Sequence, residues 1–361
     1  MGTTGDYEIH LRYHRKNIIG PVVMTKSFLN LDPSLYVSAE VLDLERKNIF
    51  WRSWQFICPV VELREGGNYF ATDIAGLGVI AIQGRDGVLR AFKNVCRHRG
   101  AKLLPNGAGN CRLIVCPYHK WSYADNGRLV QAPWFGTDPA IVPEDWPLEE
   151  IHVSQWRGLL FVAVDPIETL IEQLGDVIDE LADEPLETYV ASASAKVEFA
   201  SNWKIYTDNF VEGYHIPGTH PSFYAAINFE EFKTTAHKGM VKMTAPPKDG
   251  LFYRGKWLWM WPNWTLSLFQ GGMNTSRINP LSVDRTEQSY NFYFADISDN
   301  TKAARERTIE SNLAVVREDF QICEETHQNY ANGAYSAGPL SSRHEMGVHY
   351  FQNRVRDSLK Q

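Results

Sequence analysis

Residues 94–121, NVCRHRGAKLLPNGAGNCRLIVCPYHKW, carry two short pairs of soft-metal ligands. Cys96 and His98 form a C-x-H pair, Cys116 and His119 form a C-x-x-H pair, and 17 residues lie between the two. Each pair offers one thiolate and one imidazole. Two loops so equipped can converge with both sulfurs on one iron and both nitrogens on a second. Two neutral imidazoles in place of two anionic thiolates lower the charge of such a [2Fe-2S] cluster and raise its potential. A structural zinc site is the competing use of two Cys and two His, but zinc fingers usually pair Cys with Cys and His with His. Both pairs sit at turns, with PNG after the first and Pro117 inside the second.

Around this stretch, from about 54 to 165, run short alternating segments (YFATDI, LGVIAIQ, LRAFKNV, RLIVC, GLLFVAV) broken by GG, RDG, PNG, DNG and DP. The pattern predicts a small all-β domain, bounded at 46–165. Residues 1–45 form an N-terminal segment expected to pack on the larger domain, and VSAEVLDLERKNIFWRSW (37–54) has helical spacing. Residues 166–361 form that larger domain. It starts with an acidic helix over 166–190 and continues with a helix near 202–215, strands within 257–269 and 288–295, and a long helix from about 301 to 330. The class is α+β, a small β domain beside a larger antiparallel sheet flanked by helices.

Composition narrows the function. The 361 residues carry 36 Lys and Arg against 43 Asp and Glu, a net charge of -7, which gives no basic footprint for nucleic acid. No apolar run approaches the length of a bilayer span, and MGTTGDYEIH lacks a signal-peptide pattern, so a cytoplasmic protein without membrane contact is expected. Asp6 stands where N-myristoylation wants Ser or Thr. Five cysteines, Cys58, Cys96, Cys111, Cys116 and Cys323, are too few and too odd for a disulfide scaffold. Cys58 and Cys111 read as small buried hydrophobes. The Gly76-Leu77-Gly78 stretch lacks the following helix that would hold a pyrophosphate, so no dinucleotide site is assigned to it.

A second constellation lies in NWKIYTDNFVEGYHIPGTHP (202–221). Glu212 and His215 are three apart, which on a helix gives them one face. Pro217 and Gly218 then break the helix, so that His220 can turn back toward His215. Two histidines converging on one iron call for a carboxylate as third ligand, with positions left open for oxygen and substrate. In SNLAVVREDFQICEETHQ (311–328), Asp319 is flanked by Val315, Val316, Ile322 and Cys323 on an apolar stripe, where an unpaired carboxylate is costly. Glu318 falls on the solvent side. Without a metal, the two histidines would be ordinary hydrogen-bonded side chains and Asp319 the partner of an arginine.

The two constellations together resemble the oxygenase (alpha) component of the Rieske non-haem iron oxygenases. C-x-H-R-G, the spacer and C-P-Y-H-x-W are similar to the Rieske motif, and N-W-K with D-N-F-x-E-x-Y-H and a His five residues later is similar to the mononuclear-iron segment. RED-x-x-x-CE and GVHYF further resemble the choline, carnitine and stachydrine branch. The resemblance implies a Rieske [2Fe-2S] cluster on Cys96, His98, Cys116 and His119, and a mononuclear Fe(II) on His215, His220 and Asp319. It implies Glu212 as the link between the metal centres, with Asp208 as the alternative and Asn209 beside it as a further catalytic candidate. It also implies a homotrimer in which one subunit's cluster serves its neighbour's iron, and a separate flavin or iron-sulfur reductase, or a ferredoxin, that draws on NAD(P)H. Lys120 departs from the motif, which most often has Gly there.

The implied activity is hydroxylation of a small organic substrate with O2, possible on a quaternary amine with C-N cleavage or demethylation, or on an aromatic ring as a hydroxylase or dioxygenase. A soluble Rieske electron carrier is the alternative of another class, but it leaves the His-His-Asp set without a role. Trp257, Trp259 and Trp261 alternate in WLWMWPNW, so in a strand they share a face. That face could line a substrate pocket and hold a cation by its π-faces, or serve plain packing.

Overall fold

The structure, a computed structural model, describes residues 28–137, 140–248 and 253–360. The first sheet has seven strands in the order β1-β10-β9-β4-β3-β2-β5: β1 (Gln55–Pro59), β2 (Asn68–Ile74), β3 (Leu77–Gln83), β4 (Leu89–Lys93), β5 (Gly107–Asn110), β9 (Glu150–Trp156) and β10 (Leu159–Ala163). A separate three-stranded sheet of β6 (Ile114–Val115), β7 (Ser122–Tyr123) and β8 (Leu129–Gln131) shares a buried cluster with it. The second seven-stranded sheet runs β11-β17-β16-β15-β14-β13-β12. Its strands are β11 (Val190–Phe199), β12 (Lys233–His237), β13 (Met240–Thr244), β14 (Tyr253–Met260), β15 (Trp264–Phe269), β16 (Gly272–Ser282) and β17 (Arg285–Phe294). All paired strands are antiparallel, and the class is α+β as the sequence implies.

The helices are α1 (Ser34–Val37), α2 (Ala39–Glu45), α3 (Leu170–Leu174), α4 (Val177–Glu180), α5 (Trp203–Phe210), α6 (Ile216–Thr219), α7 (Pro221–Ala226), α8 (Lys302–Ala331) and α9 (Met346–Ser358). The long C-terminal helix expected at 301–330 is α8, within a residue at each end. The single acidic helix expected over 166–190 is instead two short ones. Thr169 and Glu172 cap the start of α3 reciprocally, and Gly175, at φ +53, ends it. A Cβ at Gly175 would lie 2.7 Å from the Lys238 carbonyl, so only glycine lets the chain pass there.

One core joins the sheets to the helices. Ile57 and Val162 of the first sheet, Trp203 of α5, Trp259 of β14 and Phe351 of α9 belong to one buried cluster. Arg277 of β16 ties the sheets together from within, donating to the carbonyls of Phe56 (3.2 Å) and Asp73 (3.2 Å) and to the Thr72 hydroxyl (2.8 Å). The N-W-K triplet has a structural reason. Lys204 Nζ meets Glu45 Oε1 at 2.7 Å with both side chains buried, and Trp203 Nε1 donates to Glu45 Oε2 at 2.8 Å. A buried charge needs such a partner, and this pair clamps α2 to α5.

Residues 1–27 of the N-terminal segment lie outside the described residues. Its remainder packs on the helices of the second sheet: Tyr36 donates to Asp208, and Leu31 N donates to Gln352 Oε1 of α9.

Candidate metal centres

The two Cys/His pairs sit on matching turns. Gly100 N donates to Cys96 O at 3.0 Å in the first, and Lys120 N donates to Cys116 O at 3.1 Å in the second. Both closing residues are left-handed, Gly100 at φ 71 and Lys120 at φ 60. The departure noted in the sequence is thus a non-glycine residue in a conformation that favours glycine. Lys120→Gly is expected to stabilise the protein by about 0.5–1 kcal/mol, the relief of backbone strain less the entropy glycine adds to the unfolded chain. Urea unfolding of the two proteins measures this, and a lower midpoint for the variant would contradict it.

The turns bring all four side chains together. The Cys96 thiol contacts that of Cys116 and lies 3.4 Å from the Tyr123 hydroxyl. The His98 and His119 rings are 4.6 Å apart, and His98 stacks on Trp121 at 4.8 Å. Sulfurs pair with sulfurs and imidazoles with imidazoles, the sorting that a two-iron cluster needs and a tetrahedral zinc site does not. His98 Nδ1 is buried and has no hydrogen-bond partner among the described residues. A buried polar atom without a partner is costly, and a metal ion at that nitrogen would satisfy it. Cys58 is fully buried in β1, as expected, whereas Cys111 is only half-buried, because it follows β5 at the edge of the first sheet. Around the cluster residues the surface is aromatic: Tyr118, Trp134 and Phe135 are exposed.

The second constellation also converges, by a route the spacing does not reveal. The helix expected over 202–215 ends at Phe210, so Glu212 and His215 are not on one helix face. Residues 211–215 form a turn in which the Glu212 carboxylate accepts from the Tyr214 and His215 backbone N–H groups and from His215 Nδ1. Nor do Pro217 and Gly218 open a loop. They lie in the short helix α6, with Pro217 in its first turn, and His220 occupies the corner between α6 and α7. His220 Nε2 lies 2.9 Å from Asp319 Oδ1, and His215 Nε2 lies 3.6 Å from the same oxygen. The three ligand atoms fall within 4.8 Å of one another.

Glu318 lies on the solvent side as expected, but it has a partner that its position does not suggest. Although its side chain is 42% exposed, its carboxylate reaches His220 Nδ1 at 2.6 Å. Each imidazole is therefore held at Nδ1 by a glutamate, which turns both Nε2 atoms toward Asp319. This is how metal-bound histidines are oriented and their tautomer fixed. Burial disfavours a charged His220, but the hydrogen bonds and charges of Asp319 and Glu318 outweigh it and raise its pKa. The donor set fits a divalent iron with open positions.

Asp208 faces elsewhere. Tyr36 Oη donates to one of its oxygens at 2.6 Å and Gln352 Nε2 to the other at 3.1 Å, and neither histidine bonds to it among the described residues. Burial lifts its carboxyl to about 7 against those two hydrogen bonds and the charge of Lys204. A carboxyl whose folded pKa is raised adds stability in full below about pH 4, its unfolded value, and loses it as pH climbs through about 7. Asp208→Asn, neutral at every pH, should gain on the parent by about 1.4 kcal/mol per pH unit across that window. Denaturation at several pH values between those limits tests this; parallel curves for the two proteins would contradict it.

A cavity with about 740 Å³ of empty volume opens onto His215, His220 and Asp319. Phe210, Phe223, Phe232, Trp257 and the two tyrosines Tyr206 and Tyr290 give it aromatic walls. Of the three tryptophans proposed for a substrate pocket, Trp257 alone lines it. Trp259 and Trp261 are buried in the core, where Trp259 packs edge-on against Phe351, because the shared face continues past the cavity under α9. Asn209 lines this cavity and also a second one that reaches Glu212 and His215 from beside Asp208.

Residues 53–144 match the family described as Rieske [2Fe-2S] domain, and residues 186–250 and 244–361 match that described as ring hydroxylating alpha subunit (catalytic domain). The chain is 28% identical over 353 residues to the carnitine monooxygenase oxygenase subunit of Escherichia coli (strain K12), covering 90% of this chain and 92% of that protein. It is 26% identical over 344 residues to the chloroplastic choline monooxygenase of Spinacia oleracea, covering 91% of this chain and 77% of that protein. A solved quaternary ammonium Rieske monooxygenase superposes with a TM-score of 0.82 at 25% identity, over 92% of this chain and 96% of that one.

Proposed function

This chain belongs to the alpha subunits of the Rieske ring-hydroxylating oxygenases, oxidoreductases supplied with electrons by a separate reductase, and on that premise we propose that it hydroxylates a quaternary amine. The observation that carries the substrate reading is the cavity's aromatic wall beside the three ligand atoms. Aromatic faces hold a trimethylammonium group by cation-π attraction without needing a counter-charge. Both comparison enzymes, by name, act on such molecules.

In this reading Cys96 and Cys116 hold one iron of the cluster, His98 and His119 hold the other, and His215, His220 and Asp319 hold the mononuclear iron. When bound, the metals supply stored electrons and a centre for reducing O2, so that one oxygen atom enters a C-H bond. The chain's own residues do the rest. Glu212 and Glu318 accept hydrogen bonds from the Nδ1–H groups of His215 and His220 and fix both rings. The aromatic walls hold substrate and keep water from the centre. Hydroxylation of a carbon attached to nitrogen gives a product that breaks the C-N bond and releases an aldehyde.

The homotrimer of this reading needs an interface at the cluster, and the exposed Tyr118, Trp134 and Phe135 there support one, since an apolar patch beside a redox centre calls for a covering surface. The opening at Glu212 and His215 on a neighbouring subunit would receive it, with Glu212 linking the two centres. A flavin or iron-sulfur reductase drawing on NAD(P)H is the electron source in this reading. A reducing, cytoplasmic compartment suits five cysteines that form no disulfide among the described residues. No helix of the described residues is long and apolar enough to cross a membrane.

Glu318→Gln is expected to weaken iron binding at the second centre by about 10–100-fold, as loss of an outer carboxylate generally does. Competition with a chelator measures it, and unchanged affinity would leave Glu318 without that role. The substrate reading is tested by substrate-triggered NADH oxidation with a surrogate reductase, quaternary amines against simple arenes. Turnover of arenes alone would replace the reading with a ring hydroxylase, and no oxygen uptake with either would favour an electron carrier.

A further inference from the structure

The cavity is not uniformly apolar. Ser267 of β15, Asn274 of β16 and Asn312 of α8 give its lining a polar floor. Ser267 and Asn274 are register partners across the two strands. Asn312 precedes Asp319 by seven positions on α8, two turns along the same face, which sets the two residues about 10 Å apart along the helix axis at 1.5 Å per residue. Val315 and Val316 line the stretch between.

The hydrogen bonds within the floor fix its polarity. Asn312 Nδ2 donates to the Thr308 carbonyl at 2.8 Å, which sets that amide's orientation, and Asn312 Oδ1 accepts from Asn274 Nδ2 at 3.0 Å. The Asn274 amide oxygen and the Ser267 hydroxyl are left without a hydrogen-bond partner among the described residues, and neither atom is sealed off from the cavity. No lysine or arginine stands among the described residues lining the cavity, whereas Glu212 and Asp319 do.

We propose that Ser267, Asn274 and Asn312 form a specificity subsite for an uncharged hydrogen-bond donor, an alcohol or carboxamide carried by the substrate away from its reacting carbon, and that this subsite rejects a carboxylate. The proposal rests on the cavity being the substrate site. A carboxylate accepts hydrogen bonds and donates none, so that, even if one oxygen accepts from Ser267, it has nothing to offer the Asn274 oxygen, whose lone pairs repel it. It would also lose its water with no cation to replace it. An alcohol or primary amide can donate to the Asn274 oxygen and accept from the Ser267 hydroxyl.

The test compares matched pairs on the anaerobic, metal-loaded enzyme: trimethylammonium-butanamide against trimethylammonium-butanoate, and benzamide against benzoate. Titration calorimetry gives the affinities, and reductase-coupled oxygen uptake is followed separately. The amide of at least one pair should bind at least about tenfold more tightly than its acid. Asn274→Lys or Ser267→Lys, whichever folds, should reverse the order by giving the acid a counter-charge. Acid binding as tight as amide binding, no binding by any of the four, or an order unmoved by the lysine in a folded variant would overturn the proposal. Amide-selective binding without oxygen uptake would instead sink the quaternary-amine reading and leave the subsite standing. Turnover with equal binding of amide and acid would do the reverse.

Discussion

Asp319→Ala is expected to abolish substrate oxygenation and empty the second metal centre, while the absorption spectrum of the iron-sulfur cluster stays as in the parent. Among the described residues, Asp319 offers the one carboxylate oxygen that lies near both imidazole Nε2 atoms, at 2.9 Å from His220 and 3.6 Å from His215. Its removal leaves two neutral donors, too few to hold a divalent iron against water or chelators. The loss of turnover should exceed the about 100-fold that removal of an outer partner costs. Cys96 and Cys116 belong to a separate buried cluster of the first sheet and the three-stranded sheet, with the paired rings of the half-buried His98 and His119 beside them, so their cluster should not respond. Iron analysis with the visible spectrum measures both effects. Retained turnover, or loss of the cluster, would refute the assignment.

Glu212→Gln should separate metal binding from function. The amide keeps the size of the side chain and can still accept from His215 Nδ1, so both centres should load. What disappears is a negative charge at the imidazole and, in the trimer reading, a carboxylate able to pair with a second imidazole across the interface. Turnover is expected to fall by about 10–100-fold with iron content unchanged. Single-turnover kinetics would place the loss in electron arrival rather than in substrate affinity. An unchanged rate would shift the link to Asp208, although Asp208 has both oxygens committed to Tyr36 and Gln352.

The sequence foretold the chemistry of the two sites more fully than their geometry. Metal ligands announce themselves because few other uses place Cys and His at such short spacing, and Asp319 stood out as a carboxylate on an apolar stripe. Helical spacing could not show that α5 ends before Glu212, because the Glu212 carboxylate stabilises a turn by accepting backbone N–H groups that periodicity does not register. The partner of Glu318 was missed for a related reason. Position on a helical wheel fixes the direction of a Cβ, while a long side chain can curl from a solvent-facing position to a buried imidazole. The alternation of Trp257, Trp259 and Trp261 gave the common face correctly. Which part of that face meets a cavity and which meets α9 depends on elements nearly a hundred residues away. The acidic helix broke where Lys238, distant in sequence, passes close to Gly175.

The central claim is that one polypeptide assembles two chemically different iron sites. Elemental analysis of anaerobically purified protein, with acid-labile sulfide measured on the same sample, tests it most directly. About three irons and two sulfides per chain, with no zinc, are predicted. Zinc in place of iron and sulfide, or only two irons in a protein whose second site takes up no added ferrous ion, would contradict it.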